Sequence, residues 1–238
     1  MSVRRGSALG LLFALLFTLR AAPARAEFAI GLEAVTDVPL DVAARVWLEL
    51  PLRIRLSASL GWMPEFYAGG YNAIAQSFKG YNNETATLVQ NGISNSMIGR
   101  AHIGWHPWGN HGLYIDAGYS FASFGKGLSL DTTIANAFKG QPPPTEPNGM
   151  QNYDTSAVIH MVDLELGWQW KVVMGFTIRL AVGVSWAVAT TTSLKPAFMP
   201  QDSTATNTYS SSVSDYLAGN YKNMLLPTAS LALGWKIF

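Results

Sequence analysis

Apolar and polar side chains alternate with a period of two residues through most of this chain. In the C-terminal segment, Leu231, Leu233 and Trp235 share one face of an extended strand, whereas Gly234 and Lys236 share the other. A strand with one apolar face and one small or charged face suits a wall between lipid and a polar lumen. The pattern therefore predicts membrane-spanning β-strands.

Eight segments carry this alternation, and they cover residues 28–34, 44–50, 52–62, 97–106, 113–121, 158–170, 176–186 and 229–238. The connections after the third, fifth and seventh segments are long, at 64–95, 125–155 and 189–223, whereas the others are short. Long loops at one end and short turns at the other are the rule in outer-membrane barrels and uncommon in compact soluble domains. We predict an all-β fold: an eight-stranded antiparallel up-and-down transmembrane β-barrel with long extracellular loops carrying short helices. One surface connection, 36–41, is expected to be short.

Aromatic residues lie near the ends of these segments. Two belts are predicted, one beside the long loops, at Trp62, Tyr119, Phe121 and Trp186, and one beside the short turns and the C-terminus, at Trp105, Trp168, Trp170, Phe176 and Trp235. Spanning barrels carry such aromatic girdles at both interfaces of the membrane. A general preference of aromatics for strands does not account for their avoidance of the strand middles.

The first 26 residues have the three regions of a secretory signal peptide: Arg4 and Arg5, an apolar stretch over 8–19, and a small-residue cleavage motif before Glu27. We therefore predict a signal peptide at 1–26 and a barrel domain at 27–238.

Cleavage removes four arginines and no acids, which leaves 12 basic and 15 acidic side chains. This balance gives no basic footprint for nucleic acid. The chain has no cysteine, so a disulfide framework, a thiolate metal site and a lipoprotein anchor are excluded.

With this alternation and the terminal Phe238, the chain resembles the small eight-stranded bacterial outer-membrane barrels, the class that includes the transmembrane domain of OmpA. The resemblance implies a Gram-negative-type outer membrane, with membrane lipid as a partner and the barrel-assembly machinery as a partner during biogenesis. Phe238 departs from the usual assembly signal, because it shares a face with Gly234 and Lys236 and not with Trp235 and Ile237. The rival interpretation is a soluble lipocalin-like barrel, whose apolar face would point inward.

The faces opposite the apolar ones carry six basic and five acidic residues. They are Glu33, Arg45, Glu49, Arg53, Arg55, Arg100, Asp116, Asp163, Glu165, Arg179 and Lys236. An eight-stranded barrel is just wide enough for its own side chains to fill it, and confined charges need partners. We expect a lumen charge network of salt bridges. The alternative is a narrow pore lined by these charges.

The histidines do not assemble a site by sequence spacing. His102 and His106 are about 13 Å apart on an extended strand, too far to share an ion, and His106 and His111 have no convincing third ligand. His160 is expected to face lipid, and Val162 stands where the lipid A deacylases have serine.

The sequence predicts no catalytic residue, no metal and no cofactor. It favours a non-enzymatic barrel that presents loops as a scaffold, envelope stabiliser or recognition element for an unknown surface ligand. The alternatives are the pore and a lipid-modifying surface enzyme.

Two long loops share the motif Ile-Ala-x-x-Phe-Lys-Gly, at 74–80 and 134–140. Ile and Phe at i and i+4 share a helix face, so Ile74, Phe78, Ile134 and Phe138 are predicted to cover the barrel mouth in two short helices. Chance similarity is the alternative. The third long loop is rich in Ser and Thr over 203–214 and is expected to be exposed.

Overall fold

In a computed structural model, the described residues are 28–77, 96–107, 112–130, 134, 138, 143–144 and 151–238. The predicted signal peptide therefore lies outside the described part of the chain, and so do His111 and Phe78.

Eight antiparallel strands close into one barrel in sequence order, each paired with its neighbours and β1 paired with β8. The strands are β1 (Ala29–Val38), β2 (Asp41–Leu50), β3 (Ile54–Trp62), β4 (Met97–Trp105), β5 (Gly112–Leu130), β6 (Asn152–Lys171), β7 (Phe176–Pro196) and β8 (Leu225–Lys236). The predicted up-and-down topology is confirmed. We call the end where β1 begins and β8 ends the terminal end, and the opposite end the loop end.

The wall of the barrel is apolar outside and polar inside. On β6, Leu164 is 53% exposed on the outer wall, whereas its neighbours Asp163 and Glu165 are each 2% exposed and point into the barrel. The same alternation follows β1 and β8. A soluble barrel would have its apolar face inward, so the lipocalin-like interpretation is wrong and the arrangement is that of a membrane-spanning barrel.

Strands β5, β6 and β7 are 19, 20 and 21 residues long, well beyond the ~9–11 residues that cross a bilayer. They continue past the predicted loop boundaries, so the loops expected at 125–155 and 189–223 are shorter than predicted. Register shifts occur where these strands leave the regular barrel, between Phe124 and Gly127 and between His160 and Met161. The expected connection 36–41 is also shorter, because β1 and β2 pair out to Asp37 and Asp41.

Two helices lie at the loop end: α1 (Glu65–Ser77), between β3 and β4, and α2 (Ser203–Tyr221), between β7 and β8. Asp202 caps α2, because its side chain accepts hydrogen bonds from the backbone of Thr204 and Ala205. Neither helix is long and apolar enough, within the described residues, to cross a membrane. The prediction that the Ser- and Thr-rich segment 203–214 is exposed holds for one face of α2, with six of the twelve residues exposed, whereas the opposite face is buried.

The largest apolar core closes the loop end of the barrel. We call it the apolar plug. Its buried members are Leu40, Met63, Ala68, Ile98, Ala122, Phe124, Ile134, Tyr153, Ile159, Met161, Ala187, Leu194, Tyr209, Val213, Leu217 and Leu226. Strand ends, helix α1, the β5–β6 loop and helix α2 all contribute. Tyr209, Val213 and Leu217 follow one face of α2 at spacings of four residues, which is why a segment so rich in Ser and Thr still folds onto the barrel.

Candidate functional site

Charged side chains fill the barrel between the apolar plug and the terminal end. In the described part of the chain, the buried members are four arginines and six carboxylates, namely Arg45, Arg55, Arg100, Arg179, Glu33, Asp37, Asp41, Asp116, Asp163 and Glu165. Alternation along each strand aims them inward, and the antiparallel register stacks them in layers. An unpaired ion in this environment would cost several kcal/mol, so the pairing of these groups decides whether the barrel is stable.

Glu33 is the centre of the network. Its carboxylate lies 3.2 Å from Arg55 Nη1, 3.3 Å from Arg179 Nη1 and 3.7 Å from Arg45 Nη1. The three arginines come from β3, β7 and β2, so one glutamate on β1 ties its own strand to three others. The side chain of Glu33 has no solvent-accessible surface.

Two of these arginines also lie over aromatic rings. The Arg179 guanidinium carbon lies 4.0 Å from the ring centre of Tyr114, and that of Arg55 lies 4.3 Å from the ring of Trp47. Such contacts contribute most where the cation is desolvated, as here. Arg179 also donates to Asp116 at 2.7 Å.

Arg100 forms a second group of ion pairs, closer to the loop end. Its guanidinium lies 3.3 Å from Asp41, 3.5 Å from Asp37 and 3.9 Å from Glu165. Sequence reasoning missed Asp37 and Asp41, because it placed them in a surface connection. The signal was available, since Asp37 continues the inward face of Glu33 and Val35.

Three predicted members of the network lie at the rim of the terminal end. Glu49, Arg53 and Lys236 are only half-buried. Glu49 reaches Arg55 at 3.8 Å, and Arg53 donates to the carbonyl of Pro107. The rim therefore carries weaker contacts than the buried layers, because water competes for them.

Buried histidine is the second feature that the sequence did not reveal. The Nε2 atom of His102 lies 3.2 Å from Asp163 Oδ2. One ring nitrogen of His102 and one carboxylate oxygen from each of Asp116 and Glu165 all lie within 4.8 Å of one another. His106 stacks on Tyr114 with ring centres 5.3 Å apart and belongs to a different layer.

The predicted girdle residues all lie on the outer wall. Seven of them are 40–54% exposed, namely Trp62, Trp105, Tyr119, Trp168, Trp170, Trp186 and Trp235. Phe121 and Phe176 are half-buried. His160 stacks on Tyr119 and shares a 2.5 Å hydrogen bond with its hydroxyl. This contact gives His160 an aromatic partner on the same face.

The paired loop motifs have different surroundings. Ile134 is 1% exposed within the apolar plug. Phe138 packs edge-on against Tyr209 and Tyr216 of α2, at 6.4 and 5.3 Å. Ile74 belongs to α1, but its side chain is outside the described set.

Helix α1 begins nine residues before Ile74, so it is longer than the short helix expected around this motif. The C-terminal residue has a separate role. Phe238 extends the β1–β8 pairing, because its carbonyl accepts from Ile30 at 3.1 Å and its own N–H donates back at 3.3 Å. Its side chain is 79% exposed.

The outer wall also has an open concavity of about 630 Å³. Leu166, Trp168, Leu180, Val182 and Leu231 form most of it, and no titratable side chain lines it. It suits contact with lipid acyl chains, and its lining offers no general base that could activate the hydroxyl group of Thr36 or Ser230.

No family model matches this sequence, and no curated protein matches it. Among solved structures, the crystal structure of CarO from Acinetobacter baumannii is 13% identical, with 87% of this chain and 96% of that chain covered and a TM-score of 0.34. A TM-score this low carries no argument, so the function proposed for this chain rests on its own residues.

Proposed function

We propose that this protein is an outer-membrane barrel with a closed lumen, which does no chemistry itself and presents its loop end at the cell surface as a scaffold or recognition element. The apolar outer wall and the signal-peptide pattern of residues 1–26 support the location. Recognition by loops on a rigid barrel is a common division of labour, because the barrel fixes where the loops stand.

The filling of the lumen carries the proposal. Ion pairs centred on Glu33 and Arg100 occupy the middle of the barrel, and the apolar plug closes the loop end. Eight-stranded barrels have little interior space beyond their own side chains. A hydrated ion would have to break the charge network and then pass the apolar plug, so conduction is disfavoured at two successive layers.

Planar-bilayer recording tests the closed lumen. Purified protein is expected to give no steady unitary current, and Arg100→Ala is expected to give none either, because the apolar plug remains. Steady currents from the wild type that change with Arg100→Ala would show that the lumen conducts and would favour the pore.

Epitope insertion tests which end faces outward. Met199 is 97% exposed between β7 and α2, and Met174 is 79% exposed in the β6–β7 turn at the opposite end of the barrel. A tag after Met199 is expected to be labelled on intact cells, whereas a tag after Met174 is expected to be labelled only after permeabilisation. The reverse result would contradict surface presentation of the loop end.

A lipid-modifying enzyme finds no support among the described residues. The outer-wall histidine, His160, is engaged by Tyr119, and no carboxylate is described beside it. Comparison of lipid A from cells with and without the protein is expected to show the same species.

A further inference from the structure

We propose that the barrel interior holds one divalent transition-metal ion, bound by His102, Asp116 and Glu165. A ring nitrogen of the histidine and one oxygen of each carboxylate lie within 4.8 Å of one another, and all three side chains are at least 95% buried. The residues come from β4, β5 and β6, three consecutive strands of the wall.

The contact between His102 and Asp163 is arranged as in known metal sites. Its Nε2 atom faces Asp163 at 3.2 Å, whereas its Nδ1 atom is buried with no hydrogen-bond partner. A histidine that binds a metal through one ring nitrogen usually donates a hydrogen bond from the other, often to a carboxylate. This hydrogen bond fixes the orientation of the ring and raises the basicity of the ligating nitrogen. Asp163 does this here and leaves Nδ1 as the nitrogen available to a cation.

The two carboxylates also have oxygens to spare. Asp116 uses Oδ2 to bind Arg179, and its Oδ1 has no hydrogen-bond partner. Neither carboxylate oxygen of Glu165 has a hydrogen-bond partner. Among the described residues, Glu165 forms one ion pair, with Arg100 at 3.9 Å. Buried oxygens are normally hydrogen-bonded. Three carboxylate oxygens and one imidazole nitrogen without a hydrogen bond, in one cluster, form a set of donors that a cation could complete.

The charge of the interior favours a divalent ion. The described interior buries six acidic side chains against four guanidinium groups, an excess of two acidic groups. A divalent cation at this site would remove the excess. One nitrogen and two carboxylate oxygens match Zn²⁺ and its neighbours in the first transition series, whereas Mg²⁺ and Ca²⁺ prefer all-oxygen shells.

The local packing makes room for the ligands. A Cβ atom added at Gly104 would lie 2.0 Å from Asp116 Oδ1, and one added at Gly118 would lie 1.8 Å from His102 Cδ2. The glycines opposite these side chains therefore leave the space in which Asp116 and His102 lie over the neighbouring strand. The ligand atoms lie within 4.8 Å of one another, and a tetrahedral zinc site would draw them to roughly 3.4 Å.

Refolding in detergent with a metal tests the site, because the closed lumen requires the ion to enter as the barrel forms. Wild-type protein refolded with Co²⁺ is expected to retain one ion per barrel after desalting, with the strong visible absorption of a low-coordinate site, and Zn²⁺ should abolish that absorption. Zn²⁺ should also raise the thermal transition, as any ligand selective for the folded state does.

Variants assign the ligands. Glu165→Gln keeps the shape and is expected to lower Zn²⁺ affinity by more than about 100-fold, whereas Asp163→Asn, which acts through His102, should lower it by about 10- to 100-fold. Glu49→Gln and His106→Gln are the matched controls and should bind Zn²⁺ as the wild type does. Equal affinity in Glu165→Gln and the wild type would overturn the proposal.

X-ray absorption at the zinc edge needs no variant and decides the matter if Glu165→Gln does not fold. Coordination by one imidazole and carboxylate oxygens supports the site. A shell of six waterlike oxygens, or the absence of retained metal, would overturn it and leave protons to balance the excess charge.

Discussion

Arg179 Nη2 lies 2.7 Å from Asp116 Oδ2, and this ion pair crosses the lumen between β7 and β5, which are not neighbours in the barrel wall. Arg179 also binds Glu33 on β1 at 3.3 Å. One buried guanidinium thus connects three strands. Its loss would leave two buried carboxylates with fewer positive charges to pair with.

We therefore predict that Arg179→Met destabilises the folded barrel by about 3–5 kcal/mol, the usual cost of breaking a buried ion pair from one side. Urea unfolding of the refolded protein in lipid vesicles measures this change. The control is Lys195→Met on the exposed outer part of β7, which should stay within about 0.5 kcal/mol. Equal free energies of unfolding for both variants would show that the network contributes nothing.

The outer wall gives a prediction that depends on depth in the membrane. Leu164 is 53% exposed near the middle of β6, and Thr191 is exposed in the extension of β7 beyond the spanning part. Leu164→Arg is expected to cost about 2–4 kcal/mol, whereas Thr191→Arg should cost about 0–1 kcal/mol, because charge on the lipid face is expensive only at depth. Equal costs in the same vesicle assay would contradict the membrane boundary placed along these strands.

Loop ordering depends on Phe138, because its ring packs against Tyr209 and Tyr216 of α2. Full burial of a Phe side chain stabilises by about 1.5–3 kcal/mol, and the partly buried Phe138 contributes less than this. Phe138→Ser should therefore speed proteolysis within α2 while the barrel itself stays folded. Phe66→Ser is the control, since Phe66 on α1 is 71% exposed. If both variants were cut at the wild-type rate, Phe138 would not hold the helix in place.

His106 lies just beyond the end of β4, and its burial leads us to predict that the folded barrel loses stability in acid. Burial, followed by the positive charges of Arg55 and Arg179, lowers the pKa of His106 to about 3. In the unfolded chain, His106 therefore binds a proton near pH 6.5, whereas in the folded barrel it stays unprotonated at that pH. The free energy of unfolding falls as the pH drops below this value.

Between pH 7 and pH 5, the contribution of His106 to this loss should be on the order of 2 kcal/mol. His106→Phe preserves the stack on Tyr114 and removes the titration, so its stability should fall less over the same range. Parallel pH profiles for the two proteins would contradict a neutral His106. Measurement by urea unfolding at each pH separates this difference from other titrations, which both proteins share.

Much of the fold followed from alternation alone, because a strand between lipid and a filled lumen must change polarity at every residue. Glu33, Arg45 and Arg179 could be assigned an inward direction in this way. Strand ends were harder, since β5 to β7 run past the membrane and lose the apolar outer face there. Composition predicted the exposed face of segment 203–214 but not its buried face, which the four-residue spacing of Tyr209 and Val213 indicates.

The metal cluster could not be read from the sequence for a different reason. His102, Asp116 and Glu165 meet only through the registers of β4 with β5 and β5 with β6, in which His102 stands opposite Gly118 and Asp116 opposite Glu165. A shift of one residue in either pairing would turn one ligand toward lipid. Spacing along a single strand therefore excludes His102 and His106 as ligands of the same ion, but it gives no information about ligands on neighbouring strands.

Cell fractionation tests the central claim most directly. Expressed with its signal sequence in a Gram-negative host, the protein is expected in the outer-membrane fraction, with a folded band that migrates differently after boiling because the closed barrel resists detergent at room temperature. Recovery as a soluble periplasmic monomer, with migration unchanged by heating, would contradict an outer-membrane barrel.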